Sequence, residues 1–396
     1  MTPGAGAPPE ESISKHVAGN SFLPEPSVLF LVPGDFQRQT GGSIYNRNLV
    51  EGLVERGFRF ELHSIPDLPY FMGLGAGLFI APLLLIRLSS RKYDLIIEDG
   101  WTHPTTLLFN LVCRLTGNVR LVIIEHQVRS ATISNRFKLI ARMVEKLALS
   151  SAQLIVTASA FLSGAVERLV GENSDIAIAS PGSGPHAGPE RIQRDSQEQP
   201  LRLLFVGNCT PLKGLDYLIE AISLLKDLDL RLDIVGDVSI RPRYCDELVR
   251  KTNDLDIDKR ITFHGAISSE DIGRFYSQAD IFTFPSLYEG FGIVLAEAMH
   301  AGLPIVATRT GPVNEIIREG ENALLVPPAD SAALAGAIRK LAADPSMRKS
   351  FGRVSHQLAG SLPTWNQACD TVFHRIRIMI RTTPDTKQTT RKIPTR

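Results

Sequence analysis

The chain has 396 residues, with 43 Lys and Arg against 42 Asp and Glu, 43% hydrophobic and 21% charged residues. That length allows two domains with sizeable cores, and the balanced charge argues against a nucleic-acid binder. Cysteines at 113, 209, 245 and 369 form no Cys-x-x-Cys pair and have no histidine at metal-ligand spacing. Free thiols in a reducing cytoplasm are therefore expected, with neither a disulfide framework nor a zinc site. Residues 1–27 are rich in Pro, Gly, Ser and Glu and lack the basic start and apolar core of a signal peptide, so they read as a disordered tail.

Short apolar runs then alternate with amphipathic stretches. Val28–Val32, Phe60–Ile65, Asp94–Ile97, Leu121–Ile124, Leu154–Val156 and Ile176–Ala179 read as buried strands. Ile44–Arg56 and Arg136–Leu149 have helical spacing. The uncharged run Tyr70–Ile86 is a little short for a membrane span and holds Gly73, Gly75, Gly77 and Pro82. It is expected as a buried loop and helix of the first domain, the second reading being a patch that dips into a membrane surface. Arg129, Arg136, Lys138, Arg142 and Lys146 make a basic helix nearby in the chain.

The first domain thus covers residues 28–182. Residues 183–200 have linker composition. Alternation restarts with Leu203–Val206, Leu232–Val235, Ile261–His264, Asp280–Phe284 and Pro304–Ala307 in a second domain, 201–363. Asp330–Leu341 and Ser346–Leu358 look helical, and a last helix over 364–380 has the position to cross back to the first domain. A basic tail follows, 381–396. Strand–helix alternation predicts an α/β protein of two doubly wound Rossmann-like domains, with a ligand in the cleft between them.

Three motifs follow predicted strands. Gly41-Gly42-Ser43 opens the first helix, where missing side chains and a helix N-terminus suit an anion, although a plain tight turn explains a Gly-Gly pair equally well. Gly207-Asn208-Cys209-Thr210-Pro211-Leu212-Lys213-Gly214 places a lysine over the cleft that could neutralise a diphosphate, although without further context a solvated surface lysine is the better reading. In Glu289-Gly290-Phe291-Gly292-Ile293-Val294-Leu295-Ala296-Glu297, the first glutamate belongs to a loop and the second to a helix, whose N-terminus near Gly292 would offer N–H groups to phosphate. The Asp-x-Asp triplets at 227–229 and 254–258 sit at a turn and a helix end and read as caps, so no metal is expected.

Together these segments resemble family-4 retaining glycosyltransferases of the GT-B fold, over about Val28–Ile380 and most strongly over Leu203–Asp330. The resemblance implies that Glu289 contacts the donor sugar, lined by Gly290, Phe291 and Gly292. Ile293 and Val294 would offer N–H groups to the diphosphate, and Glu297 would bind the ribose. Lys213 would hold the phosphates beside Gly207 and Asn208, while Gly41 and Gly42 approach from the other domain. His126, after the strand Leu121–Ile124, matches the family's active-site histidine. Catalysis would fall to His126, Lys213 and Glu289, with no cofactor or metal and a UDP- or GDP-sugar as donor. The acceptor would be a glycan, a lipid-linked or a small molecule. The run Tyr70–Ile86 and the basic helix hint at a membrane-proximal acceptor and a peripheral contact on the inner face of the cell membrane, their other readings being core and solvated face. Many family members carry arginine where this chain has Asn208, which shifts phosphate binding toward Lys213 and helix N-termini. Two rivals remain: a nucleotide-sugar-binding protein without activity, and a nucleotide-sugar epimerase.

Overall fold

The computed structural model describes residues 25–117, 119–133, 135–182 and 200–382. The disordered tail, the linker and the basic tail expected above lie outside these residues, apart from their borders. The first domain runs β1 (Ser27–Pro33), α1 (Gly41–Glu55), β2 (Arg59–Ile65), α2 (Tyr70–Ser90), β3 (Leu95–Asp99), α3 (His103–Thr116), β4 (Arg120–Glu125), α4 (Asn135–Leu149), β5 (Leu154–Thr157), α5 (Ala160–Val170) and β6 (Ile176–Ile178). The second runs β7 (Leu201–Val206), α6 (Leu215–Ser223), β8 (Leu230–Val235), α7 (Pro242–Asp254), β9 (Ile261–Gly265), α8 (Ser269–Gln278), β10 (Ile281–Phe284), α9 (Ile293–His300), β11 (Ile305–Thr308), α10 (Val313–Ile316), β12 (Ala323–Val326), α11 (Ser331–Ala343) and α12 (Pro345–Ala359). A final helix, α13 (Trp365–Thr382), ends the described chain.

Each domain holds one parallel six-stranded sheet, ordered β2-β1-β3-β4-β5-β6 and β12-β11-β10-β7-β8-β9. The strands are almost continuous runs of Val, Ile, Leu and Phe because helices cover both faces. In each sheet the strand order reverses beside the first strand, between β1 and β3 and between β7 and β10. The loops leaving those strands part there and open a crevice at their carboxyl ends. β12 completes the second sheet beside β11 and was absent from the strands read in the sequence.

α13 packs on α1 of the first domain. Ala368, Cys369, Val372 and Ile376 are buried there. A Cβ on Gly52 would fall 2.3 Å from Cys369 Sγ, so the two helices meet only because position 52 lacks a side chain. Arg56 Nε donates to Asp370 Oδ1 at 2.9 Å, and the Tyr45 and Trp365 rings meet edge to face at 5.7 Å.

Two expectations need correction. The run Tyr70–Ile86 is not a buried loop and helix: it is one continuous helix, α2, with much of its apolar surface exposed. Only the face carrying Tyr70, Gly73, Gly77, Ala81 and Leu84 is buried. Nor are all four cysteines free. Cys209 and Cys245 are disulfide-bonded, with Cα atoms 6.2 Å apart, while Cys113 and Cys369 are free and buried. The crossover from β7 through α6 and β8 brings the turn after β7 beside the start of α7, a proximity that a separation of 36 residues conceals.

On β3, Glu98 is fully buried and accepts from Thr102 Oγ1 at 2.9 Å, from Thr106 Oγ1, and from Asn110 Nδ2 at 2.7 Å. Burial pushes its carboxyl up to about 7 despite those donors. Because the folded value exceeds the unfolded one, folding favours the protonated form. That contribution is full below about pH 4.5 and is lost as the pH rises through about 7, a swing of roughly 3 kcal/mol. Glu98→Gln should therefore be more stable than wild type at pH 8 and should flatten the decline between pH 5 and 8. Asn110 Oδ1, which lacks a partner, could accept from the new amide after a side-chain flip. Urea unfolding at both pH values checks this, and parallel pH profiles for the two proteins would contradict it.

Candidate active site in the interdomain cleft

The first-domain half of the site is built on α1 and the ends of β3 and β4. Thr40 caps α1 by accepting from Ser43 N at 3.1 Å, and Gly41 and Gly42 form the first turn. A Cβ on Gly42 would stand 3.1 Å from His126 Cδ2, so this glycine lets the imidazole lie against the helix start. His126 Nε2 is 3.1 Å from Asn46 Oδ1 and 3.5 Å from Asp99 Oδ2. Asn46 Nδ2 in turn donates to Asp99 Oδ2 at 2.6 Å. Burial works against an ionised Asp99, yet His126, the Trp101 N–H and the Asn46 amide together hold its carboxyl below the usual range. Nε2 is thus the ring nitrogen held by Asn46 and Asp99.

The second-domain half comes from the loops after β7 and β10, the strands that flank the reversal in strand order. Gly214 has φ +66° and a Cβ there would lie 2.1 Å from the Pro285 carbonyl oxygen, so the two loops touch backbone to backbone. That contact brings Lys213 Nζ to 2.6 Å from Glu289 Oε2, with the ammonium 6.0 Å from the centre of the Phe284 ring. Gly207 N donates to Val235 O at 2.8 Å, which fixes the start of the turn. Asn208 spans the cleft: its Nδ2 donates to Gln39 O of the first domain at 3.1 Å, and its Oδ1 accepts from Asp237 N at 3.2 Å. An uncharged side chain suits this double backbone contact.

Gly292, at φ +92°, precedes α9, and no side chain caps that helix. The N–H groups of Ile293 and Val294 therefore sit where a helix N-terminus would meet an anion. Phe291 is buried in the core behind them. Glu297 lies one turn further along α9, nearly buried, and accepts from Tyr276 Oη at 2.7 Å. The two halves meet at Gly290. A Cβ there would fall 1.9 Å from the His126 carbonyl oxygen, and Ser159 Oγ donates to Gly290 O at 2.9 Å. Glu315 adds a clamp, its carboxylate accepting from Ala160 N at 3.0 Å and Phe161 N at 2.6 Å at the start of α5.

The structure thus brings Gly41, Gly42 and His126 opposite Lys213, Glu289 and Gly290. Asn46, Asp99, Ser159, Tyr276 and Glu315 were not read from the sequence. Asp99 ends a strand and Asn46 lies one turn after Gly42, and those were the available signals. Arg129 does not belong to the basic helix. It precedes α4, donates to Trp101 O at 2.8 Å and stacks 4.0 Å over the Trp101 ring.

Among the described residues one group has metal-ligand proximity: donor atoms of His103, Glu125 and Glu145 lie within 4.8 Å of one another, all buried. Most of their atoms already have partners in the protein, the exception being the buried Glu125 Oε2. His103 Nδ1 faces Gly100 O at 2.6 Å and Nε2 faces Tyr70 Oη at 3.0 Å. Glu145 accepts from Arg129 N at 2.6 Å and Ser130 N at 3.2 Å. Burial raises both carboxyls, Glu125 strongly, and depresses His103 to about 3. Burial of the two acids side by side, near the Arg129 cation, favours a retained proton.

Two Rossmann-like sheets facing across a cleft, each with a reversal of strand order beside its first strand, define the GT-B fold. A sucrose-phosphate synthase from Thermosynechococcus elongatus shares it at TM-score 0.79 and 21% identity, over 91% of this chain and all of that one. So does Anabaena HepE, solved with UDP-glucose, at TM-score 0.70 and 19% identity, over 89% of this chain and all of that one. The family profile described as glycosyl transferases group 1 matches residues 189–357. A D-inositol 3-phosphate glycosyltransferase from Corynebacterium urealyticum is 30% identical over 335 residues, 78% of this chain and 76% of that protein. The enzyme of the same name from Pseudarthrobacter chlorophenolicus is 32% identical over 215 residues, 52% of this chain. The match spans about half (51%) of that relative's length. The chain belongs to the glycosyl transferases group 1 family.

Proposed function

We propose that this chain is a retaining hexosyltransferase that takes its sugar from a UDP- or GDP-sugar and passes it to a glycan, lipid-linked or small-molecule acceptor. The observation that carries the reading is the meeting of Lys213, Glu289 and the uncapped start of α9 at the reversal of the second sheet, directly across from Gly42 and His126. An ammonium and a helix N-terminus together suit a departing diphosphate. Glu289 then trades its contact with Lys213 for the hydroxyls of the donor sugar, and Glu297, steadied by Tyr276, takes the ribose. His126, aligned through Asn46 onto Asp99, faces the sugar. Retention follows from a front-face displacement in which the leaving diphosphate helps take the acceptor proton, and the protein contributes position and charge. Lys213 and the helix dipole supply the positive charge, so turnover should persist in chelator. The reaction belongs on the cytoplasmic side, with the donor free in solution.

Nucleoside-diphosphate release from a panel of UDP-, GDP- and ADP-sugars tests this. Slow release by wild type that is lost in Glu289→Ala, with the α-anomeric linkage kept in product made from an α-linked donor, is the expected result. A sugar isomerised without any acceptor would turn the reading to an epimerase. Tight nucleotide binding with no release, even over a broad acceptor panel, would leave only a binding protein.

A further inference from the structure

We infer that the outer face of α2, α3 and α4 docks on the surface of an anionic lipid bilayer, with the helices lying in its plane. The inference stands on this face alone and is independent of the proposed transfer reaction.

α2 exposes Phe71, Met72, Leu78, Phe79, Leu83 and Ile86, spaced so that they form one stripe along the helix. Phe79 is 77% exposed. α4 exposes a second stripe of Leu139, Ile140, Met143 and Leu147, with Leu139 at 78%. The stripes are contiguous, since the Phe71 and Phe137 rings lie 4.9 Å apart and Tyr70 Oη donates to Ala141 O at 3.0 Å. Leu108 and Leu115 of α3 add to the same apolar surface. A patch of this extent on one side of a domain marks an interaction surface.

Charge selects the occupant. The chain as a whole is balanced, at +1. The three helices are not: α3 and α4 carry Arg114, Arg136, Lys138, Arg142 and Lys146 against a single acid, Glu145, which is fully buried, while Arg87 of α2 is paired with Glu61 of β2. On α4 the basic residues 138, 142 and 146 follow one flank of the apolar stripe at four-residue spacing. Aliphatic and aromatic side chains bordered by long cations match the boundary between acyl chains and anionic headgroups.

Packing decides between lying on the bilayer and crossing it. α2 has the length and apolarity of a span, 21 residues with an 18-residue stretch at mean hydropathy 2.0. It is nevertheless fastened to α3. A Cβ on Gly73 would fall 2.7 Å from Thr105 Oγ1, and one on Gly77 would fall 2.7 Å from the Thr105 carbonyl oxygen. Crossing the membrane would require this close seam to open, whereas in-plane docking uses the exposed face and keeps it.

The test is co-sedimentation of the full chain with vesicles, either phosphatidylcholine alone or phosphatidylcholine with phosphatidylglycerol. Wild type should partition at least tenfold more strongly onto the phosphatidylglycerol vesicles, weaken with added salt, and be released by alkaline carbonate. The pair Phe79→Glu and Leu83→Glu should lower partition at least tenfold, as should the pair Arg142→Glu and Lys146→Glu, with circular dichroism and nucleotide binding unchanged. No association with phosphatidylglycerol vesicles would overturn the inference, and so would equal binding to both compositions. Resistance to carbonate would replace docking by insertion. A lipid-free dimer in light scattering that the Phe79 and Leu83 pair abolishes would show that a second copy covers this face.

Discussion

Lys213→Ala is expected to lower turnover of the nucleotide-sugar donor by roughly 10²–10³-fold, the effect of deleting one preorganised donor to a developing negative charge. The substitution acts twice. It removes the cation beside the start of α9, and it leaves Glu289, whose partner stood at 2.6 Å, facing the diphosphate without neutralisation. Asn208, five residues earlier in the same loop, does not take over, because it is uncharged and committed to Gln39 O and Asp237 N. Lys213→Arg keeps the charge but changes its shape and should recover only part of the loss. Single-turnover donor cleavage is the measurement, since it isolates chemistry from product release. Turnover within threefold of wild type would remove Lys213 from the chemistry.

The second large effect is expected at Gly290. A methyl group there would stand 1.9 Å from the carbonyl oxygen of His126. Both parties are backbone, so no flexible side chain can move aside. Either the loop after β10 or the end of β4 must retreat by an ångström or more, and displacement on that scale costs about 10²-fold in a positioned reaction. Gly290→Ala should therefore lose about two orders of magnitude in kcat while nucleotide binding to the second domain changes little. Gly336→Ala is the matched control, because a Cβ at that helical position meets nothing within 4 Å. It should be neutral or slightly stabilising. Equal kinetics for both variants would mean that the two domains do not close on the His126 carbonyl during turnover.

The second half of the site was the easier to read because its chemistry is contiguous. Lys213 lies in one loop of eight residues and Glu289 to Val294 in a loop and helix start, each following an apolar strand, so short contiguous motifs carried the resemblance that implied their roles. The first half is assembled across distance. His126 depends on Asn46, 80 positions earlier, and on Asp99, and only the order of the first sheet joins them. A lone aspartate at a strand end and an asparagine inside a helix carry no pattern of their own. α2 was misjudged for a different reason. Composition reports how apolar a helix is, but not whether protein covers it, and α2 is apolar nearly all round. The Cys209–Cys245 pair was missed because cysteine spacing records separation along the chain, not the proximity created by a crossover.

The return of α13 to the first domain also bears on the order in which the protein can fold as it is made. Ala368, Cys369, Val372 and Ile376 fill the groove beside Gly52 of α1, yet they are among the last described residues of the chain. While the ribosome is still adding the second domain, that groove is an open apolar trough. The second domain, whose sheet is complete at Val326, can close its core before the first domain can. Domains usually mature from the N-terminus as synthesis proceeds. Here the earliest-made domain waits for the last helix, so a chain that stops short of residue 365 leaves its beginning, as well as its end, unfinished.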